Sequence, residues 1–305
     1  MNKLTKLGLS AVAGSLVASS AYAGALDVSG AAKITYKSQD EDEVTGNAFS
    51  TGKGITFSGS GELDNGFTMN YNYTMSDAAF SSTAVSIDMG DSGTIGVANG
   101  AAKAGLAAYD SVIPSAGEEV WDDTDEDDNG VTSSKNISIA NEVFYTGSFG
   151  GFGLSGSYVQ AGKNDKSDNS IVVTYDGLMD GLELGYGTGE SGTVKDFTTA
   201  FVKYSVGGVT AAFQRTDIDN TGSTADEEGT GVGISLAVNE NLSISVGRLD
   251  VDMGASKEDE ESTGVSASYT MGSMSITAIA NSTDSVAGTA GDDDTYREVT
   301  VAFAF

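Results

Sequence analysis

Apolar and polar residues alternate at every second position along most of this chain, and this pattern limits the possible folds more than any other feature. The alternation is clearest in residues 26–36, 67–75, 232–238 and 299–305. Because successive side chains of a strand point to opposite faces, the apolar residues of each segment share one face of a sheet. No convincing helical periodicity follows residue 23, so we predict an all-β fold.

The segments between the strands also follow a pattern. The alternation predicts about 16 strands, joined by connections that are short and long in turn. Short turns near residues 65–66, 207–208 and 272–273 contain the glycine-rich pairs that are typical of tight hairpins. The longest polar connection covers residues 100–135. An antiparallel up-and-down sheet with an even number of strands has this property when its two rims differ.

Two architectures can shield the apolar face of such a sheet. A soluble sandwich or small barrel hides it in the interior, whereas an outer-membrane barrel turns it to lipid and lines a water-filled lumen with the polar face. Here the polar face carries many Ser, Thr and Gly residues beside Glu62, Asn70, Asn72, Glu142 and Gln214. We therefore predict a transmembrane antiparallel β-barrel and keep the soluble β-protein as the alternative.

The first 23 residues have the features of a secretory signal peptide. Lys3 and Lys6 precede an apolar run at residues 7–18, and Ala21-Tyr22-Ala23 forms a small-x-small cleavage site. We expect cleavage after Ala23, which leaves residues 24–305 as the barrel domain.

The composition excludes several functions. The chain has no His and no Cys, so it lacks a Ser-His triad, an imidazole ligand and a disulfide framework. Its formal charge of -29 argues against a protein that binds nucleic acid by neutralising phosphates. We predict a protein that is not an enzyme and does not bind nucleic acid.

Taken together, the signal segment, the opening strand at residues 26–30, the long fifth connection and the closing strand that ends in Phe305 resemble the Gram-negative general porin family. The resemblance covers nearly the whole chain. It implies a 16-stranded outer-membrane barrel, usually a homotrimer in contact with lipid and lipopolysaccharide, through which small hydrophilic solutes and ions diffuse. It also implies a third extracellular loop folded into the lumen as the constriction, here residues 100–135, although the family's Pro-Glu-Phe-Gly-like stretch is not intact there.

Charged residues suggest how such a channel selects ions. Porins of this family usually set a basic wall against an acidic constriction loop. The acidic candidates for the constriction are Glu118, Glu119, Asp122, Asp123 and Asp125. The basic candidates for the wall are Lys33, Lys37 and Lys203, with Lys53 as a secondary candidate. Acidic rings favour cations, so we expect a preference for cations. Alternatively, the acidic loops only keep the rim hydrated and hold divalent ions with lipopolysaccharide.

The acidic loop also contains part of a calcium-binding pattern. Residues 125–130 match the first half of an EF-hand loop, with Asp125, Asp127 and Asn129 as candidate ligands. The twelfth position is Asn136 instead of Glu, so an EF-hand is not expected. A structural Ca²⁺ held by clustered oxygens is the one candidate cofactor.

The three arginines of the chain, Arg215, Arg248 and Arg297, are in phase with the apolar face. We predict that they meet lipid phosphates, unless a bulge turns them inward. Two further functions stay open at this stage. One is a secreted, calcium-dependent adhesin or surface-layer protein, and the other is a narrower, substrate-specific channel.

Overall fold

The structure is a computed structural model that describes residues 26–39, 47–77, 79–121, 137–162, 167–192, 195–221, 225–254 and 257–305. The predicted signal peptide and the calcium-like pattern lie outside these residues, and both stay predictions.

Sixteen β-strands make up the fold. In chain order they are β1 (Asp27–Gln39), β2 (Phe49–Glu62), β3 (Thr68–Ser76), β4 (Ala79–Asp88), β5 (Thr94–Asn99), β6 (Glu142–Phe149), β7 (Phe152–Val159), β8 (Asp168–Tyr175), β9 (Leu182–Ser191), β10 (Lys195–Val206), β11 (Val209–Asn220), β12 (Glu227–Ala237), β13 (Leu242–Asp252), β14 (Glu260–Met271), β15 (Met274–Asp284) and β16 (Asp294–Ala304). No helix among the described residues is long and apolar enough to cross a membrane.

The strands form one closed barrel. Each strand pairs antiparallel with the next along the chain, and β1 pairs with β16, for example Ile34 with Val301. Closure removes the unpaired edges that an open sheet would expose. The predicted antiparallel barrel is thus confirmed.

The apolar residues lie on the outside of this barrel. Ile234, Val246 and Val265 follow one another across β12, β13 and β14 and are 45%, 48% and 54% exposed. The opposite face carries many polar and small side chains, such as Asn70 and Ser155, and also buried apolar side chains such as Phe197, which packs with Leu106 of the fifth connection. A soluble β-protein with its apolar face in a dry interior is therefore wrong for this chain.

The long fifth connection is longer than the sequence pattern predicted. It was predicted to end at residue 135, but β6 begins only at Glu142, so the connection runs from residue 100 to residue 141. Ile137 belongs to the apparent alternation but is 3% exposed and packs with Leu106 and Val172. Packing inside the barrel overrides the local pattern here.

The orientation of the faces gives a first test with two neighbouring residues of β4. Val85 faces outward between Tyr71 and Val97, whereas Ser86 faces inward. We expect Val85→Lys to reduce the free energy of folding into lipid by about 2–4 kcal/mol, because a lysine then meets hydrocarbon. Ser86→Lys is the matched control and should cost much less. Urea titration of refolding into vesicles measures both, and equal costs would contradict the outward apolar face.

Candidate functional site: a loop bound to the inner wall

The connection between β5 and β6 enters the barrel. We call its residues 100–121 the inner loop, because their contacts are with inward-facing side chains. The loop leaves β5 at Gly100, whose φ of 73° is a left-handed conformation that favours glycine. A Cβ at Gly100 would lie 2.3 Å from the carbonyl oxygen of Ser81. The turn into the lumen therefore depends on glycine at this position.

Three side chains of neighbouring strands bind the start of the inner loop. The amide of Lys103 donates to Glu142 Oε1 at 2.7 Å, the amide of Gly105 to Ser155 Oγ at 2.9 Å, and the amide of Leu106 to Ser170 Oγ at 2.9 Å. These acceptors on β6, β7 and β8 replace the water that the loop amides lose.

An apolar cluster then fixes the loop against β8 to β11. Leu106 packs with Val172 and Phe197, and the Tyr109 ring stacks on Phe201 with centroids 5.7 Å apart. The inner wall makes room through glycines of β9. A Cβ at Gly187 would lie 2.7 Å from Leu106 Cδ2, and one at Gly185 would lie 2.1 Å from the Phe201 ring. Small residues on the wall therefore create the space that the loop fills.

Gln214 of β11 is the central anchor of the loop. Its side chain is fully buried, at 0% exposure. Its Oε1 accepts from the amide of Val112 at 2.8 Å, and its Nε2 donates to the carbonyl of Tyr109 at 3.0 Å and to Thr199 Oγ1 at 3.1 Å. One amide side chain thus satisfies a donor and an acceptor of the loop backbone.

The far end of the inner loop reaches β13, β14 and β15. The amide of Ala116 donates to Ser245 Oγ at 2.8 Å, and Asn281 Nδ2 donates to the carbonyl of Glu119 at 3.0 Å. Val120 and Trp121 are buried with Leu249. The loop is therefore held along the wall from β6 to β15.

The predicted charged residues fall into three groups. Lys33, Lys37 and Lys203 face inward, as the register of their strands requires. Glu118 and Glu119 lie on the inner loop and are partly exposed. Asp122, Asp123 and Asp125, together with the calcium candidates Asp127 and Asn129, lie outside the described residues.

Lys53 was wrong as a wall residue. Lys53 lies on β2 opposite Ala32 of β1, and its side chain shares the outer face of the barrel with Ile55. There it forms an exposed ion pair with Asp77 at 3.2 Å. Its position in the period-two pattern already placed it with the apolar set.

The family model described as Gram-negative porin matches residues 8–305. The chain belongs to the Gram-negative porin family. Members of this family are diffusion channels without enzymatic activity. This porin is accordingly an outer-membrane channel for small solutes, in contact with outer-membrane lipids. The predicted channel class and location are confirmed, and the adhesin alternative is wrong.

Several solved structures share the fold of this porin. An engineered variant of Rh. blastica porin aligns with a TM-score of 0.67 and 15% identity, over 92% of this chain and 100% of its own. OmpT, an outer membrane protein of Vibrio cholerae, gives 0.65 and 12% over 92% and 98%. An anion-selective porin from Comamonas acidovorans gives 0.66 and 16% over 92% and 100%. No curated protein matches the chain.

Sequence reasoning assigned Glu142 and Gln214 to the channel lining, and this was wrong. Both side chains face inward, but they are 0% exposed because the inner loop covers them. The period-two pattern gives the face of a residue and cannot show which part of that face a loop covers. The sequence did contain one signal for a covered position, namely a polar Gln at an inward position among small and apolar inward residues.

The role of Gln214 can be tested by removing its polar groups. Gln214→Leu leaves the amide of Val112 and the carbonyl of Tyr109 without partners, which should weaken loop docking by about 1–3 kcal/mol. We expect noisier single-channel currents and faster proteolysis of the loop. Thr210→Val is the control, since Thr210 lies on the same strand and its hydroxyl bonds to Ser205 of the barrel wall, not to the inner loop as the structure describes it. Quiet channels in Gln214→Leu would contradict the anchoring role.

A second test uses the pKa of Tyr109. Burial raises the pKa of its hydroxyl above the ordinary value of 10.0, and the nearby Glu183 carboxylate raises it further. The docked loop thus favours the neutral phenol. Its contribution to docking is complete below the ordinary pKa and is lost as the pH rises through the raised pKa.

We expect the tyrosinate absorbance of the wild-type porin to contain a late-titrating component. Tyr109→Phe, which keeps the ring on Phe201, should lack that component and should keep its channel noise constant through the same alkaline range. Identical titration curves for the two proteins would contradict the raised pKa.

Proposed function

We propose that this porin is a diffusion channel that prefers cations, with the inner loop as its constriction. The observation that supports the preference is the charge of the inner wall. The inward-facing lysines of the described strand side chains are Lys33, Lys37 and Lys203, and all three arginines face outward. Inward-facing carboxylates are more numerous and include Glu62, Asp88, Glu183, Glu227 and Glu298.

Two of the three lysines are close to groups that offset their charge. Lys203 Nζ lies 2.6 Å from Glu183 Oε2. Lys37 pairs in register with Glu298 and lies over the Tyr296 ring, 5.2 Å from its centroid. Lys33 is the exposed lysine of this group. The positive field of the wall is therefore weak, which leaves the acidic residues to set the local ion population.

The fold itself does not determine the sign of the selectivity. The anion-selective porin from Comamonas acidovorans has the same barrel at 16% identity. Because the backbone is shared, the side-chain charges must decide which ion is favoured. In this chain they are strongly acidic, with 44 Asp and Glu against 15 Lys and Arg.

We place the open path on the side of the barrel where the wall is hydrophilic, opposite the strands β6 to β15 that hold the inner loop through the hydrogen bonds described above. Thr56, Ser58, Asn70 and Asn72 face inward there on β2 and β3. Lys33 and Lys37 stand beside them on β1. We propose that solutes pass between this surface and Glu118 and Glu119, where the lysines and the acids give a transverse field.

The preference can be measured as a reversal potential across a planar bilayer under a salt gradient. Glu118→Gln with Glu119→Gln should lower the cation-to-anion permeability ratio by about two- to five-fold, the effect of charges several ångströms away in water. Asp284→Asn is the control, because it removes a carboxylate from the outer face of β15, away from the lumen. An anion preference in the wild-type channel would refute the proposal.

We further propose that the functional unit is a homotrimer and that the acidic segment with Asp125, Asp127 and Asn129 holds Ca²⁺. Both proposals come from the family resemblance and the sequence pattern. Bilayer currents that close in thirds would support the trimer, and closure in single steps would refute it. Unchanged channel noise after calcium chelation would refute the ion.

A further inference from the structure

Lys103 is a charged residue of the inner loop to which the period-two pattern assigns no face, because it lies in a connection and not in a strand. Its amide donates to Glu142 Oε1 at 2.7 Å, and the next residue, Ala104, is fully buried. The side chain of Lys103 is exposed all the same. The backbone of this segment is therefore bound to the inner wall, while its lysine side chain turns away from the wall into the lumen.

The strand register places Lys103 beside the open path. One lateral row of paired, inward-facing residues crosses β6, β5, β4 and β3, and its members are Glu142, Ala98, Ala84 and Asn72. Because adjacent strands are about 4.8 Å apart, this row is about 14 Å long. Ala104 packs in one buried cluster with Ala84 and Ala98. The start of the inner loop therefore covers the row as far as β4 and leaves Asn72 exposed on β3.

The ammonium group of Lys103 makes no ion pair with any described residue. Glu142, which lies beneath it, is 0% exposed and accepts the backbone amide instead of the ammonium group. Lys203 differs, because its Nζ lies 2.6 Å from a carboxylate oxygen of Glu183. Lys103 therefore resembles the exposed Lys33 and presents its charge to the water of the lumen.

A free ammonium group beside a solute path acts on passing ions through its electric field. Lysine carries a compact point charge on a flexible stem, so it attracts anionic groups without requiring one fixed geometry. Its field extends over about one Debye length of about 8–10 Å in physiological salt. We propose that Lys103 is a specificity-determining residue of this channel, which attracts the anionic groups of solutes to the side of the open path next to Asn72. This inference rests on the open path of the proposed function and not on the sign of its ion preference.

The inner loop then has two electrically different ends. Lys103 is positive at its start beside β4 to β6, whereas Glu118 and Glu119 are negative at its far end beside β13 to β15. Anionic groups are attracted to the first end and cationic groups to the second. The permeability ratio of the channel is therefore a balance, in which Lys103 reduces the cation preference that the acids produce.

The reversal potential across a planar bilayer under a salt gradient tests this role. Lys103→Gln removes the charge and keeps a polar side chain, and it should raise the cation-to-anion permeability ratio about two- to five-fold, the effect of one charge several ångströms away in water. Lys53→Gln is the matched control, because it removes the same charge from the outer face of β2 and should leave the ratio unchanged. Stepwise single-channel currents in both variants show that the barrel is intact.

The chain contains no cysteine, which allows a second measurement. Lys103→Cys gives the porin a single thiol, which a methanethiosulfonate reagent in the aqueous phase converts to a mixed disulfide with release of sulfinate. A reagent that carries an ammonium group should restore the wild-type permeability ratio. A reagent that carries a sulfonate should raise the ratio above that of unmodified Lys103→Cys. These opposite shifts depend on charge alone, so a merely structural role of Lys103 would not produce them.

Three outcomes would overturn the proposal. The first is an unchanged ratio in Lys103→Gln. The second is an equal shift in Lys53→Gln, which would indicate a general effect of protein charge. The third is an equal ratio after both reagents in Lys103→Cys, which would place this position outside the ion path. Failure of the proposed cation preference is a separate result, because the sign of the wild-type reversal potential decides that preference, whereas the change from wild type to variant decides the role of Lys103.

Discussion

The pairing of β1 with β16 is the interaction on which the rest of this porin depends. A membrane offers no water to hydrogen-bond an exposed strand edge, so a sheet can cross it only when its first and last strands meet. Closure also fixes which face is inside, because side chains alternate along every strand. Once the apolar set faces lipid, the polar set must enclose water, and the channel follows from that geometry.

The inner wall is built to receive a loop. Gly185 and Gly187 leave room for Phe201 and Leu106, and Ser155, Ser170 and Ser245 accept hydrogen bonds from loop amides. Gln214 satisfies two further backbone groups. A loop inside a lumen would otherwise carry unpaired polar groups, so these side chains are what makes a fixed constriction energetically acceptable.

Charge is divided between the two faces. Outside, Arg215 of β11 and Arg248 of β13 are paired with carboxylates of their own and neighbouring strands. Inside, Lys203 is paired with Glu183 and the acids outnumber the lysines. The same period-two rule produces both arrangements, because a shift of one residue would exchange the two faces.

Much of this could be predicted from the amino-acid sequence, because alternation is a local property. The period-two pattern alone predicts the strand number, the outward face of Val246 and Arg297, and the inward face of Lys33. The pattern could not show that Ile137 packs against Leu106 or that Gln214 lies under the inner loop, since residues distant in the chain meet only when the barrel closes. The sequence by itself thus determined the wall and its two faces, whereas the course of the inner loop depends on strand register and on packing inside the barrel.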